Sequence, residues 1–352
     1  MIRDKEHRGR KVFDIFIDNG ADSDILYLQH PHLGTDKLKE IIPSIRNKII
    51  KMGGEFRFST KLTDIKIENE KVVAVTLNDK EQLPCNVLIL AIGHSARDTF
   101  HLLDDKNLLM ESKPFAVGVR VMHYQKMIDK EQYQNKIKKA PYKLTYQTKN
   151  HRGVYSFCMC PGGYVINSAS ENNSLVVNGM SNYLRDSNTA NSAIVVTVSK
   201  KDYGEGLFAG VKYQQELEKK AYLKGNGKIP VEYYQDFLNK KITKKETDFA
   251  ILGAYTFTDL NDILPVTISD SIKEAMIEFN KKIKNFSDSN PLLAGVETRT
   301  SSPIKIIRDE KLESNIKGIY PCGEGSGYAG GITSSAIDGI KVAEEIIKKY
   351  YY

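Results

Sequence analysis

The sequence predicts a mixed α/β fold (α+β overall) with a β-rich insertion, and three observations predict it. A short apolar strand, Ile319 to Cys322, enters a glycine-dense turn and then a helix from about Ile332 to Lys349. A second apolar strand, Asn86 to Ala91 with VLILA at its heart, also ends in a turn, Gly93-His94-Ser95. Between them lies a long series of short alternating strands. Strand–turn–helix units build parallel sheet, whereas alternating strands separated by polar turns build antiparallel sheet. The two apolar strands are predicted in one sheet, with the insertion between them in the chain.

The elements follow in order. Val12 to Ile17 is a short apolar run, and residues 18–34 read as irregular. Thr35 or Asp36 caps a helix over Lys37 to Met52, with Pro43 inside it as a kink or a later start. Gly53-Gly54 ends that helix. Glu55 to Ser59 reads as a strand, then a hairpin pairs Leu62 to Ile67 with Val72 to Leu77 around Glu68-Asn69-Glu70. Asn86 to Ala91 reads as a fully buried strand, and a helix follows over Ala96 to Leu103. From Lys113 to about Ser199 the strands FAVGVRVMH, YKLTYQT, GVYSFCMC, YVINSAS, LVVNGM and AIVVTV alternate with turn residues. Residues 211–286 read as mostly helical, broken at Pro230 and Pro265. Residues 295–307 return as extended chain. On the last helix Ile332, Ala336, Ile340, Ala343 and Ile347 share one apolar face, with Ile337 and Ile346 beside them.

Composition narrows the classes. With 352 residues the chain is long enough for two cores, and 41% hydrophobic with 27% charged residues is ordinary globular chemistry. The net charge of +7 comes from 51 basic against 44 acidic residues. The sharpest cluster, Lys240, Lys241, Lys244 and Lys245 before Glu246, reads as a solvated face rather than a nucleic-acid patch. No apolar run reaches the ~18 residues of a membrane span. The charged start, MIRDKEHRGRK, is unlike a secretory signal, and four scattered cysteines are unlike a disulfide framework. A cytoplasmic address is expected.

The stretch GIYPCGEGSGYAGGITSSAIDG, Gly318 to Gly339, carries the chemistry. Five glycines lie between positions 323 and 331. Glycines let a backbone approach a ligand, and a helix start offers unpaired N–H groups at a positive dipole end. That makes an anion or cofactor cradle, in which Glu324 can hold a sugar hydroxyl. GEGSG is not read as a dinucleotide fingerprint. That pattern opens a βαβ unit with an acid about 20 residues on, and no second strand follows the helix in this sequence.

Other residues carry less. His30 and His32 flank Pro31, but no cysteine or acid cluster accompanies them, so no metal site is predicted. Cys158 and Cys160 share a strand face, and two small core residues are favoured over a redox pair. Arg299 is either a clamp for a substrate carboxylate or phosphate, or a salt-bridge partner of Glu297 or Asp309. Tyr328 either contacts a ligand or packs. No catalytic Ser/His/Asp order, P-loop or H-E-x-x-H pattern is present.

Six segments taken together resemble the predicted FAD-dependent dehydrogenases, also described as NAD(FAD)-utilising dehydrogenases. They are LQHPHLGTDKL (28–38), VLILAIGHSARDT (87–99), KPFAVGVR (113–120), YSFCMCPGGYV (155–165), GVETRTSSPIKI (295–306) and PCGEGSGYAGGITSSAIDGI (321–340). The resemblance implies a two-domain FAD/NAD(P)-binding flavoprotein. Residues 1–112 with 296–352 would form a partial FAD-binding domain, and 113–295 a substrate-side insertion. It implies an oxidoreductase that moves a hydride between a small-molecule substrate and FAD, with NAD(P)H or another partner completing the cycle.

The resemblance also implies site residues. Gly323, Glu324, Gly330, Gly331, Ile332 and Thr333 would meet the flavin and its ribityl chain, and Ile92 with Gly93 would lie beneath the nucleotide. Arg299, Tyr328, His32 and Thr35 are the substrate-side candidates. One departure stands out: the family's opening G-x-G-x-x-G turn has no counterpart, since Met1 to Leu33 holds only Gly9 and Gly20. The chain matches roughly the C-terminal two-thirds of the family pattern. It is therefore expected to be N-terminally truncated, with FAD binding weak or absent unless a missing N-terminal half is supplied. Two other readings stay open. One is a non-catalytic flavoprotein fragment. The other is an RNA-linked flavoprotein, which the charge permits but the insertion's composition does not favour.

Overall fold

The computed structural model describes residues 6–28, 31–134, 136 and 139–350. The chain opens with helices α1 (Arg8–Asp18) and α2 (Thr35–Lys51). The earlier apolar run Val12 to Ile17 is thus one face of a helix, with Val12 and Phe16 buried. Helix α2 continues through Pro43, whose missing N–H removes one backbone hydrogen bond, so Pro43 does not mark a later start. Its cap is Gly34, not Thr35 or Asp36. The Asp36 carboxylate instead accepts from the Tyr183 backbone N–H at 2.7 Å.

A meander follows: β1 (Leu62–Glu68), β2 (Lys71–Leu77) and β3 (Glu81–Pro84). Asn69 and Glu70 both hold positive φ, the geometry of a tight hairpin turn. The strand predicted at Glu55 to Ser59 is absent; that segment is exposed loop and turn. Strand β4 (Leu88–Leu90) is shorter than predicted, and Ile89 is 46% exposed, so it is not fully buried. Helix α3 (Arg97–Asp105) and β5 (Met110–Ser112) complete this part.

The insertion contains β6 (Phe115–Tyr124), α4 (Gln125–Tyr133), β7 (Thr145–Gln147), β8 (Gly153–Cys160), β9 (Tyr164–Asn167), β10 (Val177–Met180) and β11 (Thr189–Val198). Then come α5 (Lys200–Tyr203), α6 (Ala209–Lys224), β12 (Ile229–Tyr233), α7 (Tyr234–Asn239), β13 (Ile251–Leu252), β14 (Tyr255–Phe257), α8 (Val266–Lys282) and β15 (Leu292–Glu297). Seven strands form its main sheet in the order β14-β12-β15-β6-β11-β8-β7. Strands β6 and β11 pair antiparallel over ten residues each and are almost wholly buried, so they read as continuous apolar runs rather than alternating ones. The prediction that 211–286 is mostly helical misses β12 to β14. Pro230 lies within β12, not at a helix break.

The chain closes with β16 (Ile304–Ile306), β17 (Ile319–Pro321) and α9 (Ile332–Tyr350). Strand β17 lies parallel to β4, with Ile319 opposite Leu88 and Pro321 opposite Leu90, as predicted for one sheet. Helix α9 packs on α1 through Ile337, with Ala336 and Ile340 half-buried there. The predicted apolar face is displaced: Ile332 and Ile347 are exposed, and Val342 is the buried anchor.

Candidate functional site

The turn between β17 and α9 is held from below by an ion pair that the sequence does not advertise. Arg308 donates to both oxygens of Asp338, at 3.0 and 2.7 Å, and to the Pro321 carbonyl at 2.9 Å. Asp338 in turn accepts from the Gly323 backbone N–H at 2.8 Å. Gly323 sits at φ +76°, so its glycine is conformational. A side chain at Gly325 would meet the Gly93 carbonyl oxygen at 2.3 Å. The two glycine turns therefore touch backbone to backbone, and Gly93 serves that contact.

Glu324 is a third exposed, and its carboxylate lies 3.7 Å from His94 Nδ1. Tyr328 is committed: its hydroxyl donates to the Ile306 carbonyl at 3.0 Å, and Arg308 stacks 3.7 Å from its ring centroid. Arg299 is likewise committed, though to neither acid predicted for it. Its guanidinium clasps Glu218 at 3.0 and 2.8 Å and donates to Ser95 and Ser170. Glu297 pairs instead with Arg120.

Beside the cradle opens a cleft of about 1010 Å³. It is lined by Gly331 to Ser334 at the start of α9, by Pro31 to Thr35 at the start of α2, and by Ser156 to Pro161, Gly179 to Ser181 and Arg185 of the insertion. Of the predicted site residues it gathers Gly331, Ile332, Thr333, His32 and Thr35. Gly323, Glu324, Gly330, Ile92, Gly93, Arg299 and Tyr328 do not line it. His30 lies outside the described residues.

The 31–36 loop is stitched to the insertion. His32 Nε2 donates to the Asn182 carbonyl at 2.9 Å, and the Thr35 N–H donates to the Ser181 carbonyl at 2.9 Å. Burial lowers the His32 pKa, so the imidazole is neutral near pH 7. A side chain at Gly34 would strike the Tyr183 backbone nitrogen at 2.2 Å. Gly330 and Gly331 differ from these packed glycines: a Cβ at Gly330 meets nothing within 4 Å, and one at Gly331 meets only Ser334 Oγ, at 3.8 Å. They face open space.

Sequence reasoning missed the cleft's other wall. Arg120 is wholly buried, and all five of its donors are used. They go to Glu297 twice (2.8 and 3.4 Å), Asn191 (2.8 Å), Asn178 (3.0 Å) and the Cys158 carbonyl (2.9 Å). Cys160 is buried, but Cys158 is exposed on the cleft wall, so it is no core residue. Cys-x-Cys beside Pro161-Gly162-Gly163 is the signal that was available. The charged side chains lining the cleft, Lys143 and Arg185, are both basic, and the histidine beside them, His32, is neutral. Among the described residues neither Lys143 nor Arg185 makes an ion pair. The described residues hold no group of three or more metal-type ligands, and no helix long and apolar enough to cross a membrane.

Comparison with known proteins gives this geometry a context. A family model described as "FAD-dependent protein, C-terminal domain-like" matches residues 114–300. A curated relative from Clostridium beijerinckii, described as an uncharacterized protein, is 45% identical over 360 residues, spanning 99% of this chain and 67% of the relative. Among solved structures, L-proline dehydrogenase from P. horikoshii aligns at 14% identity and TM-score 0.36, over 88% of this chain and 55% of that one. An oxidoreductase from Methanosarcina mazei aligns at 12% identity and TM-score 0.36, over 87% and 54%. The chain spans about half the length of those solved chains. The family model covers over half of this chain, and with the close relative it shows that the chain belongs to the FAD-dependent protein, C-terminal domain-like family.

Proposed function

We propose that this chain is part of a FAD-dependent oxidoreductase acting on an anionic small molecule, with NAD(P)H as a source of reducing equivalents. The observation that carries the reading is the open glycine backbone at Gly330 and Gly331, set where the N-terminus of α9 meets the cleft. No packing contact accounts for those two glycines, so the space beside them is available to a ligand. A flat heteroaromatic ring fits such a site. The first-turn N–H groups of Ile332 and Thr333 would meet its polar edge, and the helix dipole would favour negative charge there. When bound, FAD supplies hydride acceptance and donation.

The substrate class follows from the cleft's charge. Arg185 and Lys143 lie along the wall without acid partners, and no carboxylate lines it. A carboxylate or phosphate ester is attracted there, and the apolar Phe157, Met159 and Met180 exclude water around it. Arg185 takes the anion-clamp role first considered for Arg299, whose donors are occupied. We also read the chain as two domains, 113–295 against the remainder. The largest buried cluster supports this, since all its buried members fall between Phe115 and Val296.

The contacts available here are to the isoalloxazine end of the cofactor, so the chain alone is proposed to hold FAD weakly. Flavin fluorescence during titration tests this. Riboflavin and FAD should bind with similar affinity, ADP should not compete, and Gly331→Glu should weaken both flavins at least tenfold by filling the open space. Competition by ADP, or unchanged binding in the variant, would refute the cradle.

A further inference from the structure

Strand β8 does not reach its end in register. Asn191 of β11 pairs with Cys160 and Ala193 with Phe157, so Cys158 and Met159 share one opposing residue, Ser192, in a β-bulge. Cys158 sits at φ +46°, a conformation rare outside glycine and asparagine. Bulges re-aim side chains, and here the Cys158 side chain is exposed in the cleft while Cys160 remains 8% exposed. The two cysteines stand two positions apart on β8, and Arg120 Nη1 donates to the Cys158 carbonyl at 2.9 Å. Cys160 Sγ also donates to the Cys158 carbonyl at 3.4 Å, and Arg120 Nη1 lies 3.8 Å from Cys160 Sγ. Because all of Arg120's donors are engaged, its charge is fixed beneath the pair.

We propose that Cys158 and Cys160 form a reversible dithiol–disulfide couple opening on the cleft, with Cys158 the attacking thiol, Cys160 the resolving thiol and a small-molecule disulfide the oxidant. The geometry separates the two roles. One sulfur is reachable from the cleft; the other is shielded, two positions along the same strand, and 3.8 Å from the fixed Arg120 guanidinium. The step balances as follows. The Cys158 thiolate attacks one sulfur of the disulfide, forming a mixed disulfide and releasing one thiolate, which takes the Cys160 proton. The Cys160 thiolate then attacks Cys158 Sγ, forming the internal disulfide and releasing the second thiolate, which is protonated by solvent. Two electrons pass from the cysteines to the substrate disulfide, which leaves as two thiols. The couple needs no bound flavin.

Electrostatics agree with this assignment. A hydrogen bond from the Cys160 thiol, and then the Arg120 charge, hold the Cys158 thiol down at about 5 although burial opposes them. Donation to Cys158, together with burial, pushes Cys160 well above the usual thiol range. The other charged or titratable groups facing the pair are Glu297 beneath it and Tyr142, Lys143, Arg185 and His32 around the cleft. Cys85 supplies an internal control, since burial raises its thiol.

The test uses the whole chain with oxidised glutathione at pH 6, read by mass spectrometry of the tryptic peptide 153–185, which contains both cysteines and no others. In the wild type this peptide should lose two hydrogens. Cys160→Ser should hold a stable glutathione adduct on Cys158, and Cys158→Ser should leave Cys160 unmodified. Alkylation of the wild type by iodoacetamide gives a second reading that needs no variant. At pH 6 a thiol near 5 is ~300-fold richer in thiolate than an ordinary one. Its lower basicity costs ~30-fold in intrinsic reactivity, so Cys158 should react at least about tenfold faster than Cys85, whose thiol burial raises. The Cys158 rate should be flat above pH 6 while that of Cys85 climbs. Equal rates at pH 6, absence of an adduct in Cys160→Ser, or an adduct in the wild type that Cys160 never resolves would each overturn the proposal.

Discussion

Glu218→Gln tests how the insertion is tied to the helix that follows β4. Glu218 on α6 is fully buried and accepts six hydrogen bonds. Two come from Arg97 (3.0 and 2.9 Å), two from Arg299 (3.0 and 2.8 Å), and one each from Thr298 (2.8 Å) and Ser174 (3.0 Å). Burial works against its charge, but the hydrogen bonds and charges of Arg299 and Arg97 hold the carboxyl down to about 2, from an ordinary 4.5. At ~1.4 kcal/mol per pH unit, that difference is worth about 3 kcal/mol at pH 7. Breaking a buried ion pair costs a similar ~3–5 kcal/mol. A melting entropy of ~2 cal/mol/K per residue, taken over 352 residues, converts this to a fall of about 4 °C in Tm. The sign with pH is fixed by the depressed value: the contribution is present above the unfolded pKa and lost as pH falls toward 2. Calorimetry should therefore show the gap between wild type and variant at pH 7 shrinking to about a quarter near pH 2.5. A variant melting within about 1 °C of wild type at pH 7, or a gap that persists in acid, would refute the reasoning.

Three further substitutions probe the other constraints. Glu232 is 1% exposed, accepts only the Leu260 N–H on one oxygen, and burial pushes its carboxyl up to about 8. Its neutral form favours folding below the unfolded pKa, and this is lost as pH rises through 8. Glu232→Gln should therefore raise Tm at pH 9, by the equivalent of ~3–5 kcal/mol, and leave it unchanged at pH 4 in paired melts. A Cβ at Gly179 would lie 2.2 Å from Arg120 Nη1 and 2.4 Å from Asn191 Oδ1. Gly179→Ala should displace the guanidinium, cost ~1–3 kcal/mol in chemical denaturation, and slow Cys158 alkylation at pH 6 several-fold. Gly325→Ala sets a methyl against the Gly93 backbone and should cost about 2 kcal/mol or more by the same measurement.

Periodicity made the long elements legible, and partner geometry hid the rest. The pairing of β17 with β4, helix α9 and the strands of the insertion were readable because apolar runs and turn residues alternate locally. Strand β12 was not readable. Pro230 marks a break by propensity, yet the strand is placed by its partners β15 and β14, which lie far along the chain. The face of α9 was misjudged because α1 covers Ile337 while the cleft leaves Ile332 open, and no repeat of 3.6 encodes where a neighbour stops. Arg299 was recognised as an anion clamp of the right chemistry, but its anion is an internal carboxylate 81 positions away. The Cys-x-Cys segment looked like core because strand alternation puts both sulfurs on one face. A single bulge, visible only once β11 is paired, separates the exposed thiol from the buried one.

The glycines of the cradle show why density alone could not locate a ligand. Gly325 and Gly327 are small because other backbone atoms press against them: the Gly93 carbonyl at 2.3 Å in one case and the Ile304 carbonyl at 2.9 Å in the other. Gly323 is there for its positive φ. These three maintain the protein's own packing, and substituting them tests folding. Gly330 and Gly331 have neither a positive φ nor a close neighbour, so neither conformation nor packing demands them. At this helix start the Gly331 N–H donates to Ser334 Oγ at 3.1 Å, and the N–H groups of Ile332 and Thr333, at the edge of a basic cleft, can receive a negatively polarised ligand edge. A substitution that weakens flavin binding at Gly331 while leaving stability intact, set beside one at Gly325 that does the reverse, would separate the binding glycines from the folding glycines within a single nine-residue turn.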